Sequence, residues 1–392
     1  MFGWFNFHPR ISVAVDLSRA SAKFLAFRFD ARAKTVNYVD HQTSTWGGKP
    51  DALEAFIHGL EATGHFIDSV GQEGQIGSIL LSVPNSLLIL EARQFRFVRP
   101  EPSRAVTAAE LSELWQQVRS APADSLLPQG LTAHAYEIFP PVAEEFHLDG
   151  YLLSGKISGE GREVSAAAII AAWPVECVEA LSHFRKRFAD VEIKPIPELD
   201  VIRGYIHLRQ GSQASGVAID IGALDSTLIL LSRGVIEDIW VFPFGSVDVT
   251  EAIARELGVT FEEAESFKRQ WSSGVLDDDR RSRVEKAAAF PIEYWKREWG
   301  SLLATRAETT VIAPTIYLLG RGAFLPSVVG ALGDGDWLEL FSSGRGGEAT
   351  ILLPRELKDR YFPGWPFDDA GDAVLFSLVS RIIQEDHGMR SV

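Results

Sequence analysis

Cysteine is nearly absent from these 392 residues, and the single thiol, Cys177, excludes an internal disulfide. It lies in the apolar segment Val175 to Leu181 and reads as a small buried hydrophobe. No CxxC pair and no HExxH motif occurs, so the scattered histidines offer no zinc spacing. Positive charge is also short: 38 Lys and Arg face 53 Asp and Glu, and the net charge of −15 argues against nucleic-acid binding. No apolar run approaches the ~20 residues of a membrane-spanning helix, and the start lacks the basic, hydrophobic, small-residue order of a secretory signal. A cytoplasmic location is expected. No low-complexity linker interrupts the chain. With 46% apolar residues its length calls for two or three packed domains, because one core rarely grows past roughly 250 residues.

What is present is a pattern that occurs twice. From Ile11 the chain reads ISVAVD, a polar turn, KFLAFRF, a break and TVNYV; from Gly216 it reads GVAID, the turn IGALDS, TLILL, a break and VIEDIWVF. Each copy predicts strand, acid, turn, strand, turn, strand. An acid that closes an apolar strand before a tight turn holds a carboxylate at the strand mouth, where turn amides also point. A lone copy is an ordinary Asp turn. Two copies facing each other make one cleft suited to a phosphate chain and a divalent ion, with Asp16 and Asp220 holding the hydrated metal.

The segments after the second copy extend this reading. Gly245 precedes a helix over Val249 to Leu257 with Gly258 as its C-cap, so a helix N-terminus meets the turn. Thr260 and Glu263 form a capping box for a second helix, whose Glu265, Lys268 and Arg269 are placed to grip a ribose and purine or to form a solvated face. Thr315 to Leu319 predicts a strand that ends in Gly320-Arg321-Gly322-Ala323 before Pro326, a glycine turn a flat ligand can approach closely. Asp277 to Asp279 lack the spacing of a calcium loop and read as a solvated loop between helices. Trp295 and Trp299, one helical turn apart, read as core.

On these motifs the chain resembles the actin-like ATPase superfamily. The resemblance covers most of the chain in order and implies an α/β fold: two duplicated, RNase H-like halves around a nucleotide cleft that takes ATP and Mg. It assigns Asp16, Ser18 and Lys23 to the first phosphate motif, with Lys23 on a phosphate oxygen. It assigns Asp220, Gly222, Ser226 and Thr227 to the second, Gly245 to the ribose side, Glu265 and Lys268 to the nucleoside, and Gly320 and Gly322 to the adenosine motif. The metal ligands are Asp16 and Asp220. Members of the superfamily carry Gly where Ser18 stands, a small residue at Leu224, and Gly-Gly at Gly320-Arg321; each replacement adds bulk where backbone approach is the mechanism.

Ile79 to Pro84 predicts a strand, Thr107 to Val118 a helix capped by Thr107 with Glu110 completing the box, Ala133 to Tyr151 two strands and Val164 to Ala172 another. This order is similar to the extra, SHS2-type subdomain of the FtsA and PilM branch. The implied division is 1–80 for the first half, 81–165 for the insertion and 166–213 for the return to the first half. The second half comprises 214–243, a helical subdomain at 244–307, and 308–364; a final helix in 365–392 returns to the first half.

By resemblance the chain is an FtsA-like scaffold of bacterial cell division at the inner face of the cytoplasmic membrane, with an FtsZ-like ring protein as partner and a capacity to polymerise. The alternative is a PilM-like pilus assembly protein that takes an inner-membrane peptide. A degenerate scaffold without nucleotide and a sugar-kinase-type phosphotransferase are further readings, and for the last no acceptor-directed Asp is identified. ATP turnover is expected to be weak at most. The aromatic residues within 1–10 suit a weak peripheral membrane contact.

Overall fold

The computed structural model describes residues 10–30, 35–153, 159–211, 213–333, 340–341, 348–354 and 370–386. The aromatic start (1–9) and the Gly-rich stretch 342–347 lie outside them. The chain begins with β1 (Ile11–Leu17), β2 (Ser21–Asp30), β3 (Thr35–Thr45), α1 (Ala52–Val70) and β4 (Ile76–Val83). Then come β5 (Ile89–Val98), α2 (Ala108–Arg119), α3 (Ala123–Leu126), β6 (Tyr136–Ile138), β7 (Val142–Leu148), β8 (Tyr151–Leu152) and β9 (Glu163–Pro174). α4 (Val175–Arg187), β10 (Glu192–Pro197) and α5 (Glu198–Gln210) follow. The remainder is β11 (Gly216–Ile221), β12 (Ser226–Ser232), β13 (Val235–Phe242), α6 (Ser246–Leu257), α7 (Phe261–Ser272), α8 (Asp278–Ala307), β14 (Thr315–Leu319), α9 (Pro326–Gly333), β15 (Glu348–Ile351) and α10 (Ala373–Asp386).

The repeat in the sequence is a repeat in topology. One sheet runs β10-β4-β1-β2-β3 and another β13-β12-β11-β14-β15, so each strand of the first has a counterpart in the second. In both, the leading hairpin is antiparallel and the strand on its other side parallel. Asp16 pairs across its hairpin with Lys23, and Asp220 pairs with Thr227 at the same distance from the turn.

Strand periodicity decides which way these residues face. Ile11, Val13 and Val15 pack with Phe56 and Phe66 on one side of the first sheet. Val217, Ile219 and Ile221 pack with Trp295 and Trp299 in the core of the second half. The alternate residues Ala14 and Ala218 instead join a single core shared by both halves, filled by Tyr205 of α5 and Phe376 of α10. Asp16 and Asp220 continue those two alternate rows. Both acids therefore emerge at the edge of the shared core, facing one another.

The third sheet, β5-β9-β7-β8 with β6 on β9, carries α2 and lies between the two parts of the first half in sequence. Thr107 caps α2 through the Glu110 amide. The predicted box does not close: the Glu110 carboxylate instead accepts from buried Arg99 at 2.7 and 2.9 Å, because a charged, forked donor outcompetes a backbone amide. Asp277 is likewise the N-cap of α8 rather than part of a loop, with Asp278 and Asp279 in the first turn, where the helix dipole favours acids. Gly258 and the Thr260–Glu263 box form as expected. Among the described residues no helix is long and apolar enough to cross a membrane.

Candidate functional site

Asp220 senses the charge of Asp16. Burial, then the charges of Asp16 and Asp225, push the Asp220 carboxyl up to about 7. Burial likewise raises Asp16 to about 6, against the pull of Lys23 and a hydrogen bond from the Ser82 hydroxyl at 3.2 Å. Glu198, at the start of α5, is raised well above the carboxylate range by burial and then by Asp220 and Asp16. Acids from both halves thus share one cleft. Asn85 closes its floor: its amide nitrogen donates to Thr227 Oγ1 at 3.3 Å, its Oδ1 accepts from the Leu199 amide, and its own backbone N–H donates to Glu198.

The first turn is tied down by its own side chains. Ser18 Oγ accepts from the backbone amides of Ser21 at 3.1 Å and Ala20 at 3.4 Å. Trp46 holds the turn from outside, through its indole to the Arg19 carbonyl and its backbone N–H to the Ala20 carbonyl. The amides that the sequence offers to a phosphate are thereby committed to Ser18. Lys23 is also committed: its ammonium is paired with Asp372 at 2.8 Å, both side chains buried, and donates to the Gly371 carbonyl.

The second turn is built on close backbone approach. Gly222 donates to the Asp225 carbonyl, and a Cβ on Gly222 would lie 2.9 Å from that oxygen. A Cβ on Gly245 would lie 2.5 Å from the Ala223 carbonyl. The first amides of α6 donate to the Gly222 and Ala223 carbonyls, so the helix N-terminus is docked on the turn. Gly320, at φ 75°, would bring a Cβ to 2.5 Å from Asp220 Oδ1, and Gly322 lies against Ile221. The glycine turn after β14 is thus pressed onto the strand that carries Asp220, as close approach requires. Thr227 faces the cleft; Ser226, opposite Ile221 in register, faces away from it.

Glu265 and Lys268 do meet. Lys268 Nζ lies 2.7 Å from Glu265 and donates to Thr250 Oγ1 and the Ser246 carbonyl, and Thr250 in turn donates to Glu265. This network staples α7 to α6, and burial pulls the Lys268 ammonium below its usual range. Arg269 remains exposed, 3.9 Å from Glu265.

In fold, the chain is similar over nearly its whole length to PilM from a PilM–PilN type IV pilus biogenesis complex. The TM-score is 0.61 at 16% identity, over 95% of this chain and 98% of that one. The chain has the actin-like ATPase fold. Within that fold, MreB5 of Spiroplasma citri bound to ADP aligns at TM-score 0.48 with 11% identity, covering 96% of this chain and 98% of that one. EutJ, an ethanolamine utilization protein of Carboxydothermus hydrogenoformans, aligns at 0.48 with 13% identity, covering 94% and 89%. No protein-family model and no curated protein matches the sequence.

In this actin-like cleft several residues escape motif reading. Glu198, Asn85, Ser82 and Asp372 come from segments distant in sequence. Asp225 sits in the second turn, near Ser86 and Arg19. Only Glu198 carried a local signal, an acid following Pro197 at a strand-to-helix corner. For a divalent ion the fit is partial: among the described residues no group of three or more His, Cys, Asp or Glu is arranged to hold one. Asp16 and Asp220 suit magnesium, which keeps several of its waters and takes one or two carboxylates plus phosphate oxygens.

Proposed function

We propose that the chain is a nucleotide-responsive, actin-fold scaffold of the type IV pilus kind, which binds a peptide of an inner-membrane protein. The observation that carries the reading is the convergence of Asp16 and Asp220 from equivalent hairpins, in a chain aligned end to end with PilM. Mg-ATP is the proposed ligand. Asp16 and Asp220 would hold magnesium through its bound waters, and the ion would supply the positive charge that a triphosphate needs among these acids. The Gly320–Gly322 turn, held against Asp220 and Ile221, borders the nucleoside, Gly222, Gly245 and Thr227 shape the second phosphate turn, and Glu198 adds a buried acid to the cleft. Glu265 and Lys268 act by holding α6 and α7 beside the nucleoside. Turnover is slow, since Ser18 and Asp372 occupy the donors of the first turn.

For the peptide, supporting geometry lies where the third sheet meets the first half. A cavity of about 210 Å³ is lined by Phe139, Pro140, Ile169 and Leu199, with Asp200 and Arg381 at its edge. A second, of about 500 Å³, shares Phe139 and Pro140 and runs toward Tyr136 and Arg119. Both are lined mostly by apolar side chains. The insertion, read from the sequence as 81–165, is proposed as the SHS2-type subdomain of this branch with its bounds moved to β5 through β9, 89–174, because β4 pairs in the first sheet and β9 in the third; the second-half boundaries are as set out from the sequence. The cell-division reading, with an FtsZ-like partner, draws no support of its own from the similar structures.

Thermal unfolding with and without Mg-ATP tests the ligand, because a ligand at ~100 times its dissociation constant adds about 2.7 kcal/mol. An unchanged midpoint at millimolar Mg-ATP ends the nucleotide reading. Fluorescence anisotropy with the cytoplasmic peptide of a pilus inner-membrane protein tests the partner, with Ile169→Glu expected to abolish binding.

A further inference from the structure

Lys23 lies directly across the first hairpin from Asp16, with its side chain in the cleft. A buried ammonium is costly unless it is paired, and here its partners come from one short segment, Gly371 and Asp372, just before α10. Asp372 stands close enough to Asp16 to raise that carboxyl, so it adds an anion to a cleft already holding Asp16, Asp220, Asp225 and Glu198. An ammonium with two acceptors in place presents at most one hydrogen to a ligand. We infer that Asp372 is an internal competitor of phosphate for Lys23, a carboxylate seated where a phosphoryl oxygen would dock. The inference rests on the nucleotide reading above and deepens it: the cleft is self-occupied, and a phosphate chain binds by displacing the segment that begins α10.

Isothermal titration of Mg-ATP and of magnesium pyrophosphate tests this on the full chain, on Asp372→Asn and on the double variant Lys23→Met/Asp372→Asn. With the competitor neutralised, Asp372→Asn binds both ligands at least about ten-fold more tightly, equivalent to about 1.4 kcal/mol. The double variant loses that gain. In the unmutated protein, saturation with magnesium pyrophosphate speeds amide exchange at Ala373 to Leu375, which keeps the test available if Asp372→Asn folds poorly. Equal affinity of Asp372→Asn and the unmutated chain, or unchanged exchange at saturation, overturns the competition and leaves the nucleotide reading standing. Absence of binding by every folded variant overturns both.

Discussion

Asn85 and Thr227 join the two halves of the molecule: Asn85 Nδ2, 1% exposed as a residue, donates to Thr227 Oγ1 at 3.3 Å beneath the facing acids. The same side chain accepts from the Leu199 amide at the start of α5. Asn85→Ala strands that amide and the hydroxyl together, and an unsatisfied buried group costs about 1–3 kcal/mol. Urea unfolding is expected to show a loss in that range. A variant within about 0.3 kcal/mol of the parent would mean that the contact does not hold the halves.

The raised acids make stability and ligand binding respond to pH in opposite directions. Asp16 and Asp220 have ordinary values near 3.8 and sit at about 6 and about 7 in the folded chain. Between these limits the folded state holds more protons than the unfolded state, so stability falls as pH rises from about 4 to 7. Magnesium must displace those protons, so Mg-ATP affinity rises over the same interval. Asp220→Asn is expected to raise the unfolding midpoint at pH 8 by at least about 2 °C while abolishing Mg-ATP binding, as site residues held at a cost to stability do. Retained Mg-ATP affinity in Asp220→Asn would remove this acid from the site.

Ser18 decides what the first turn offers. Its hydroxyl takes the amides of Ala20 and Ser21. Ser18→Gly frees both, and is expected to tighten Mg-ATP binding by about three-fold while costing about 0.5–1 kcal/mol through the added freedom of glycine. Calorimetry with chemical unfolding checks both halves of the expectation.

Lys268 separates a holding role from a ligand contact. Its ammonium is buried between Glu265, Thr250 and the Ser246 carbonyl. Lys268→Met leaves part-exposed Glu265 with only the Thr250 hydroxyl and the more distant Arg269 and is expected to cost about 1–3 kcal/mol of stability, seen as a lower urea midpoint without any ligand. A loss of nucleotide affinity at unchanged stability would show that the side chain serves the nucleoside directly.

The sequence by itself determined whatever depends on neighbours along the chain. The alternation around Asp16 and Asp220 marked two strand mouths, Thr260 with Glu263 marked a helix start, and Gly320 with Gly322 marked a tight turn, because each signal is complete within a few residues. Tertiary structure decided the rest. That Ala14 and Ala218 share one core, and so turn their two acids toward each other, depends on α5 and α10 lying between the sheets. That Lys23 answers to Asp372 and that Asn85 reaches Thr227 depends on segments separated by most of a domain. Glu110, too, pairs with a residue outside its own helix, Arg99. Local propensity positions a charged group, but its partner is set by whichever opposite charge packing brings within reach, and burial then fixes how strongly the pair holds.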